Sequence, residues 1–74
     1  MDKHPIAVQI GRVIRARREA TGSSQDRFAD AIHMHRAYYA AIERGEKKVT
    51  LRTLKRVAEG LCVPMSEILR EIGN

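Results

Sequence analysis

Apolar side chains recur every three or four residues along most of the chain, which is the spacing that places them on one face of an α-helix. The first such run spans residues 5–21 and contains Ile6, Ile10 and Ile14. It ends before Gly22, a residue type that commonly closes a helix at its C-terminus. The pattern therefore predicts a first helix over about 5–21.

Two shorter apolar runs follow, and they predict two short helices joined by a tight turn, over about 24–31 and 35–44. Ser24 is a candidate N-cap for the first of them, and Ser23 with Asp26 forms a rival capping box one residue earlier. The apolar residues expected to face the core are Phe28, Ala29, Ile32, Tyr39 and Ile42.

A longer amphipathic pattern predicts a fourth helix that begins after Thr50, a good N-cap residue. Its apolar stripe is expected to lie in the core, although Gly60 weakens the last turn. The stripe consists of Leu51, Leu54, Val57, Ala58 and Leu61. Pro64 interrupts the helical pattern, and a fifth short helix follows it. Every predicted element is helical, so the expected fold class is all-α.

The fifth helix is unusually apolar for so small a protein, and its hydrophobic residues are Met65, Ile68, Leu69 and Ile72. A chain this short buries only a modest part of its surface against itself. The four side chains therefore either pack within the chain or form the seam of a dimer, and the sequence leaves both readings open.

The length and the net charge of the chain limit the class of partner it is expected to bind. The 74 residues are expected to form one domain over residues 1–74. Fourteen Lys and Arg against nine Asp and Glu give a formal net charge of +5 at pH 7, which favours a polyanionic partner. Two short helices joined by a tight turn in a basic chain indicate a helix-turn-helix, whose ligand is double-stranded DNA.

The sequence offers little for catalysis, metal binding or membrane insertion. Cys62 is the single cysteine, so it has no disulfide partner within the chain, and a reducing cytoplasm is expected. His33 and His35 stand two positions apart, which does not place them on one helix face, and there is no glycine-rich phosphate loop. No apolar run approaches the roughly 18 residues of a membrane span, and residues 1–5 lack the apolar region of a signal peptide. We therefore expect a cytoplasmic protein that is not an enzyme and uses no cofactor or metal.

Several short motifs occur in order along the chain, and their combination is more specific than any one of them. They are Ile14-Arg15-x-x-Arg18-x-x-x-Gly22-x-Ser24-Gln25, His35-Arg36-x-Tyr38, Ile42-Glu43-Arg44-Gly45 and Leu51-x-Thr53-Leu54. With them the chain resembles the phage-repressor and Cro-like helix-turn-helix family, also called XRE, over residues 10–70. Within that family it looks most like the controller proteins of restriction-modification systems. The resemblance implies a five-helix lambda-repressor-like bundle in which helices 2 and 3 form the helix-turn-helix and helix 3 enters the DNA major groove.

The resemblance also implies DNA contacts at the start of helix 2, along helix 3 and in the loop after it. Gln25 is implied to bond a phosphate, Arg36 to grip guanine O6 and N7, and Tyr38 to contact a phosphate or sugar. The alanines of helix 3 are expected to be exposed and to offer methyl contacts. The loop lysines either meet phosphate or stay solvated, because Glu46 partly neutralises them. The implied DNA-binding residues are Gln25, His35, Arg36, Ala37, Tyr38, Ala41, Arg44, Lys47, Lys48 and Arg52.

Other residues are assigned to structure. Arg18 and Glu43 match a pair that the resemblance implies to be an internal salt bridge between helices 1 and 3. On a helix, Arg15, Arg17 and Arg18 cannot all face one way, so at least one of them is expected to be solvated or ion-paired and not part of a phosphate-binding patch. Tyr39 is expected in the core, with its hydroxyl at a polar edge.

At two positions the chain lacks a glycine that is usual in the family, and it has His33 and Cys62 there instead. The turn at His33 needs a positive φ, which histidine adopts at some energetic cost. The turn between helices 2 and 3 is therefore expected to be either strained or rearranged, and the family pattern does not define where helix 4 ends.

Together these features predict a homodimeric, sequence-specific regulator of transcription that binds double-stranded DNA on a near-palindromic operator. The candidate dimer interface consists of Met65, Ile68, Leu69 and Ile72. The alternative is a DNA-binding antitoxin or phage-operon module whose main role is to bind a protein partner through helix 5 or helix 1.

Overall fold

The computed structural model describes residues 4–72, and within that range it contains five α-helices and no strand. Residues 1–3 and 73–74 of the predicted domain lie outside the described part. The all-α prediction is confirmed, and the helix bounds lie within one residue of those expected. The helices are α1 (Ile6–Thr21), α2 (Gln25–Ala31), α3 (Arg36–Glu43), α4 (Leu51–Leu61) and α5 (Met65–Ile72).

Side-chain caps begin two of the helices. The Ser24 hydroxyl accepts a hydrogen bond from the backbone N–H of Arg27 at 3.1 Å, so Ser24 is the N-cap of α2 and the rival box at Ser23 is not used. The Thr50 hydroxyl accepts from the backbone N–H of Thr53, also at 3.1 Å. Each cap satisfies one of the N–H groups that a helix N-terminus leaves without an intrahelical partner.

The core lies where α1 packs against α3, α4 and α5, with α2 against α3 and α4 against α5. Phe28 and Tyr39 contribute its aromatic part, with ring centroids 5.2 Å apart. Its largest fully buried side chains are Tyr39, Ile14, Ile42, Ile68 and Val57. Within residues 4–72 no helix is long and apolar enough to cross a membrane.

Two glycines allow helices to approach more closely than any side chain would permit. A Cβ at Gly11 of α1 would lie 2.5 Å from the carbonyl oxygen of Ile42 in α3. A Cβ at Gly60 of α4 would lie 2.4 Å from Cγ2 of Ile32, just after α2. Gly60 therefore costs helix propensity in α4 but permits its contact with Ile32, and the sequence indicated only the cost.

Both departures from the family pattern adopt the left-handed conformation usual for glycine. His33 has a φ of 56° and Cys62 a φ of 60°, which costs a non-glycine residue about 1–2 kcal/mol. Hydrogen bonds close each turn: Met34 N–H donates to the Ala29 carbonyl at 2.8 Å, and Val63 N–H to the Ala58 carbonyl at 3.0 Å. The strained turn expected at His33 is present, and α4 ends cleanly at Leu61.

Two hydrophobic assignments were wrong. Leu51 was expected in the core, yet it is 71% exposed. As the first residue of α4 its side chain leans toward the N-terminus, past the end of the helix. Ile68 was a candidate for the dimer seam, yet it is fully buried by the chain itself, because α5 packs against both α1 and α4.

The rest of α5 is divided between core and surface. Met65 and Ile72 are partly buried against the core, while Leu69 is 40% exposed. Arg17 of α1 forms ion pairs with Glu67, at 3.3 Å, and with Glu71, and these pairs join the two helices. Of the four residues proposed for a dimer seam, Leu69 offers the most exposed apolar surface.

Candidate nucleic-acid interface

The α3 helix buries one broad arc and exposes a narrower one. Its buried residues are Tyr39, Ala41, Ile42 and Glu43. At about 100° per residue, the remaining arc carries Arg36, at its edge next to Glu43, then Ala40, the C-cap residue Arg44 and Ala37; Ala40 is half-buried and the other three are exposed. This exposed arc carries two cations and two small side chains, which is a suitable surface for a groove lined by phosphates.

Ala41 was expected on that exposed arc, and this is wrong. Its side chain is only 6% exposed, since the chain turns back after α3 and the backbone N–H of Glu46 donates to the Ala41 carbonyl at 3.0 Å. The short alanine side chain lies at the edge of the buried arc, beneath this turn. It is therefore removed from the candidate DNA-binding residues.

His35 and Tyr38 lie at the start of α3. His35 is its N-cap residue and is exposed, but its side chain makes no capping hydrogen bond. Tyr38 is half-buried and packs against the core. The imidazole of His35 therefore remains accessible to a ligand, while the Tyr38 ring is held in place by its packing.

A buried hydrogen-bonded network fixes the C-terminal end of α3. Arg18 donates to both carboxylate oxygens of Glu43, from Nε at 2.7 Å and from Nη2 at 3.1 Å. It also donates to the carbonyl of Ser23 at 2.7 Å. Gln25 donates from Nε2 to Glu43 Oε1 at 2.7 Å. One carboxylate thus joins α1, the start of α2 and the end of α3.

The network sets the charge state of Glu43. Burial acts to raise the pKa of the Glu43 carboxyl, but the hydrogen bonds from Arg18 and Gln25 outweigh it and hold the pKa below its ordinary value. The implied salt bridge between Arg18 and Glu43 is present. The bond from Gln25 was not foreseen, and no feature of the sequence signals it. It anchors the Gln25 amide at the end of α3.

The hydroxyl of Tyr39 lies beside polar groups, but these are the buried Arg18–Glu43 pair and not an exposed edge. The residue is fully buried, and among the described residues its hydroxyl has no hydrogen bond of regular geometry. Burial, reinforced by the nearby Glu43 carboxylate, raises the pKa of this phenol well above its usual range. The hydroxyl therefore stays protonated. It is enclosed because the buried face of α3 packs against α1.

Arg36, the implied base reader, is paired with acidic side chains of α2. Its Nε donates to Asp30 Oδ1 at 3.1 Å and its Nη2 to Asp30 Oδ2 at 2.7 Å. Asp26 Oδ2 lies 3.6 Å from Nη1. The hydrogen bond from Arg36 lowers the pKa of the Asp30 carboxyl. The sequence showed the charges but not that they meet.

The loop after α3 carries further cations. Lys47 and Lys48 are exposed in this loop, and Arg52 is exposed in the first turn of α4. Glu46 receives hydrogen bonds from Arg44 at 2.9 and 3.0 Å, and it also attracts Lys47, so its charge is shared between Arg44 and the lysines. Arg44 is thus held beside the loop, which leaves the lysine pair as the more accessible positive charge.

The arginine cluster of α1 does not form a phosphate patch. Arg15 pairs with Glu19 at 3.4 Å, Arg18 with Glu43, and Arg17 with acidic residues of α5. All three guanidinium groups are therefore ion-paired, each with a different part of the protein. The ion pairing expected for at least one of them is present.

Comparison with known proteins places this geometry in a family. A helix-turn-helix family model matches residues 14–68. The chain is 35% identical over 68 residues to the control protein C.MunI of a Mycoplasma species, covering 90% of this chain and 92% of that protein. It is 33% identical over 60 residues to the control protein C.SmaI of Serratia marcescens, covering 81% and 71%.

Solved structures share the fold. The restriction-modification controller protein C.AhdI from Aeromonas hydrophila superposes with a TM-score of 0.83 at 29% identity, covering 88% of this chain and 98% of that chain. The clp gene regulator ClgR from C. glutamicum reaches a TM-score of 0.90 at 24% identity, covering 96% and 92%. The chain belongs to the helix-turn-helix family of XRE type, whose members are DNA-binding regulators and not enzymes.

Proposed function

We propose that the chain is a sequence-specific transcription regulator that binds a near-palindromic operator as a homodimer and controls the genes of a restriction-modification system. The observation that carries the proposal is the exposed arc of α3, on which Arg36 and Ala37 project from a helix anchored by the buried Arg18–Glu43–Gln25 network. The controller-protein relatives support the biological setting.

The dimensions of α3 suit the major groove. At about 1.5 Å per residue, its eight residues form a rod about 12 Å long, which the major groove admits. Arg36 is assigned to guanine, and Ala37 to a thymine methyl group or to close approach to the bases. Because few side chains of α3 reach base edges, DNA shape supplies part of the specificity.

Phosphate contacts are assigned to the residues that surround this arc. The N-terminus of α2 presents Gln25, the start of α3 presents His35 and Tyr38, and the following segments present the remaining cations. All but Gln25 and Tyr38 are exposed. The assigned residues are Gln25, His35, Tyr38, Arg44, Lys47, Lys48 and Arg52.

The dimer is proposed to form through α5. Leu69 is exposed and Met65 and Ile72 are partly exposed beside it, so a second copy would cover apolar surface that the chain leaves to solvent. A two-fold dimer of this kind presents its recognition helices about 34 Å apart, one turn of DNA. This spacing is what a near-palindromic operator requires.

Replacing Arg36 by alanine tests the proposal. We expect the variant to lose its preference at one base pair in each half-site, and to bind the operator about 5- to 100-fold more weakly, since it loses two hydrogen bonds to guanine. The measurement is selection of bound duplexes from a random library, followed by titration. Arg15→Ala is the matched control, because Arg15 is also exposed and ion-paired but lies on α1. An equal loss on random DNA would make Arg36 a phosphate anchor instead.

A further inference from the structure

The guanidinium of Arg36 is hydrogen-bonded along one of its edges. Its Nε and Nη2 donate to the two carboxylate oxygens of Asp30, at 3.1 and 2.7 Å. Nε and Nη2 form the side edge of the planar guanidinium, and both donate to the same carboxylate. The pairing links the first residue of α3 to the preceding helix α2.

The other edge of the same guanidinium stays available. An arginine carries five N–H donors, and the pair with Asp30 occupies two of them. Among the described residues Nη1 has no hydrogen bond; Asp26 Oδ2 is 3.6 Å away, close enough for attraction but too far for a hydrogen bond. Two N–H groups that point away from the side edge, one on Nη1 and one on Nη2, suit guanine O6 and N7.

Asp30 is itself fixed by the turn that follows it. The backbone N–H of His33 donates to the Asp30 carbonyl at 3.1 Å, and the next residue, Met34, is buried. The left-handed residue at His33 sets the direction in which the chain enters α3. The turn therefore fixes the backbone of Asp30 relative to the first turn of α3, and the hydrogen bonds with Arg36 hold its exposed carboxylate. An unpaired arginine at position 36 would sample many rotamers.

We propose that Asp30 is a specificity-determining positioning residue, which holds the side edge of Arg36 so that its end edge meets guanine in the major groove. The inference rests on the proposed function, since it assumes that Arg36 reads a base. Asp30 does not touch the DNA in this account. Its carboxylate reduces the freedom that Arg36 would otherwise lose on binding.

A different role predicts different behaviour. If Asp30 merely masked the charge of Arg36 until DNA displaced it, neutralising Asp30 would strengthen binding to every duplex equally, because each added net positive charge favours phosphate contact. If Asp30 positions Arg36, neutralising it weakens the preference for guanine at one position and strengthens binding to random DNA. The base preference is thus the readout that separates the two roles.

The experiment compares Asp30→Asn with Asp26→Asn, which makes the same change of charge on the same helix but removes no hydrogen bond to Arg36. We expect Asp30→Asn to reduce the guanine preference about two- to fivefold, the upper part of the range for coupling between exposed charges. The reduction should occur at the same base pair at which Arg36→Ala removes the base preference. Asp26→Asn should retain the preference. In an Arg36→Ala background, Asp30→Asn should leave the base preference unchanged.

Three results would overturn the inference, and they differ from failure of the proposed function. The first is an unchanged guanine preference in Asp30→Asn, while Arg36→Ala still removes the preference at one base pair. The second is an equal loss of preference in Asp26→Asn. The third is a loss in Asp30→Asn that persists in the Arg36→Ala background. If the wild-type protein shows no base preference at all, the proposed function fails, and the inference fails with it. Thermal unfolding of each variant checks that the fold is intact.

Discussion

Replacing Glu43 by alanine should lower the free energy of unfolding by about 3–5 kcal/mol, because it leaves the Arg18 guanidinium buried without its carboxylate. Both side chains are almost fully enclosed, with 9% and 1% of their surfaces exposed. A domain of this size has a stability of only about 5–15 kcal/mol. The loss should therefore appear as a large drop in the denaturant midpoint measured by circular dichroism.

A surface pair supplies the control for this result. Glu19→Ala breaks the pair with Arg15, whose side chains are 64% and 56% exposed, and should cost no more than about 0.5 kcal/mol. If the two variants lose equal stability, burial of the Arg18–Glu43 pair is not what makes it important.

The same carboxylate predicts the direction of a pH effect. The folded-state pKa of Glu43 lies below its ordinary value, so the folded protein binds this proton less readily than the unfolded chain does. Its contribution to stability is complete above the unfolded value of about 4.3, and it is lost as the pH falls through the lower folded value. The stability difference between wild type and Glu43→Ala should therefore narrow below about pH 4. A difference that stays constant from pH 7 to pH 3 would contradict this linkage.

Ile68→Asp should unfold the chain, with a loss of about 4 kcal/mol or more, since it places an unpaired charge at a fully buried position. Leu69→Asp, one residue later and 40% exposed, should leave the fold intact and weaken dimerisation. Thermal unfolding and sedimentation together measure the two effects. A folded Ile68→Asp variant would contradict the packing of α5, and a dimeric Leu69→Asp variant of unchanged affinity would refute the proposed seam.

Helix positions and the fold class followed from the sequence because apolar spacing and capping residues are local signals. Those signals say which face of a helix is apolar, but not where the buried face ends. Leu51 was predicted to be buried but is exposed, because it lies at a helix terminus. Ala41 was predicted to be exposed but is buried, because a turn covers it. Ile68 could not be assigned from sequence, since the choice between core and dimer seam depends on how α5 packs.

The sequence named candidate site residues one by one, but it did not predict the contacts between them. The resemblance implied Arg36 and Gln25 separately, whereas the structure joins them to Asp30 and Glu43 across sequence separations of 6 and 18 residues. Such pairs depend on tertiary placement, so periodicity cannot reveal them. Gly11 offered one unused signal: a glycine inside an amphipathic helix marks a close approach of backbones.

The most direct test of the central claim is a titration of the wild-type protein against two labelled duplexes, the sequence selected from the random library and a shuffled version of equal base composition. We predict that two chains bind the selected duplex, at least about 10³-fold more tightly than the shuffled one. Both affinities should fall steeply as salt rises from about 0.1 M to 0.2 M, because phosphate contacts release counterions. Equal affinities for the two duplexes, indifferent to salt, would contradict the account.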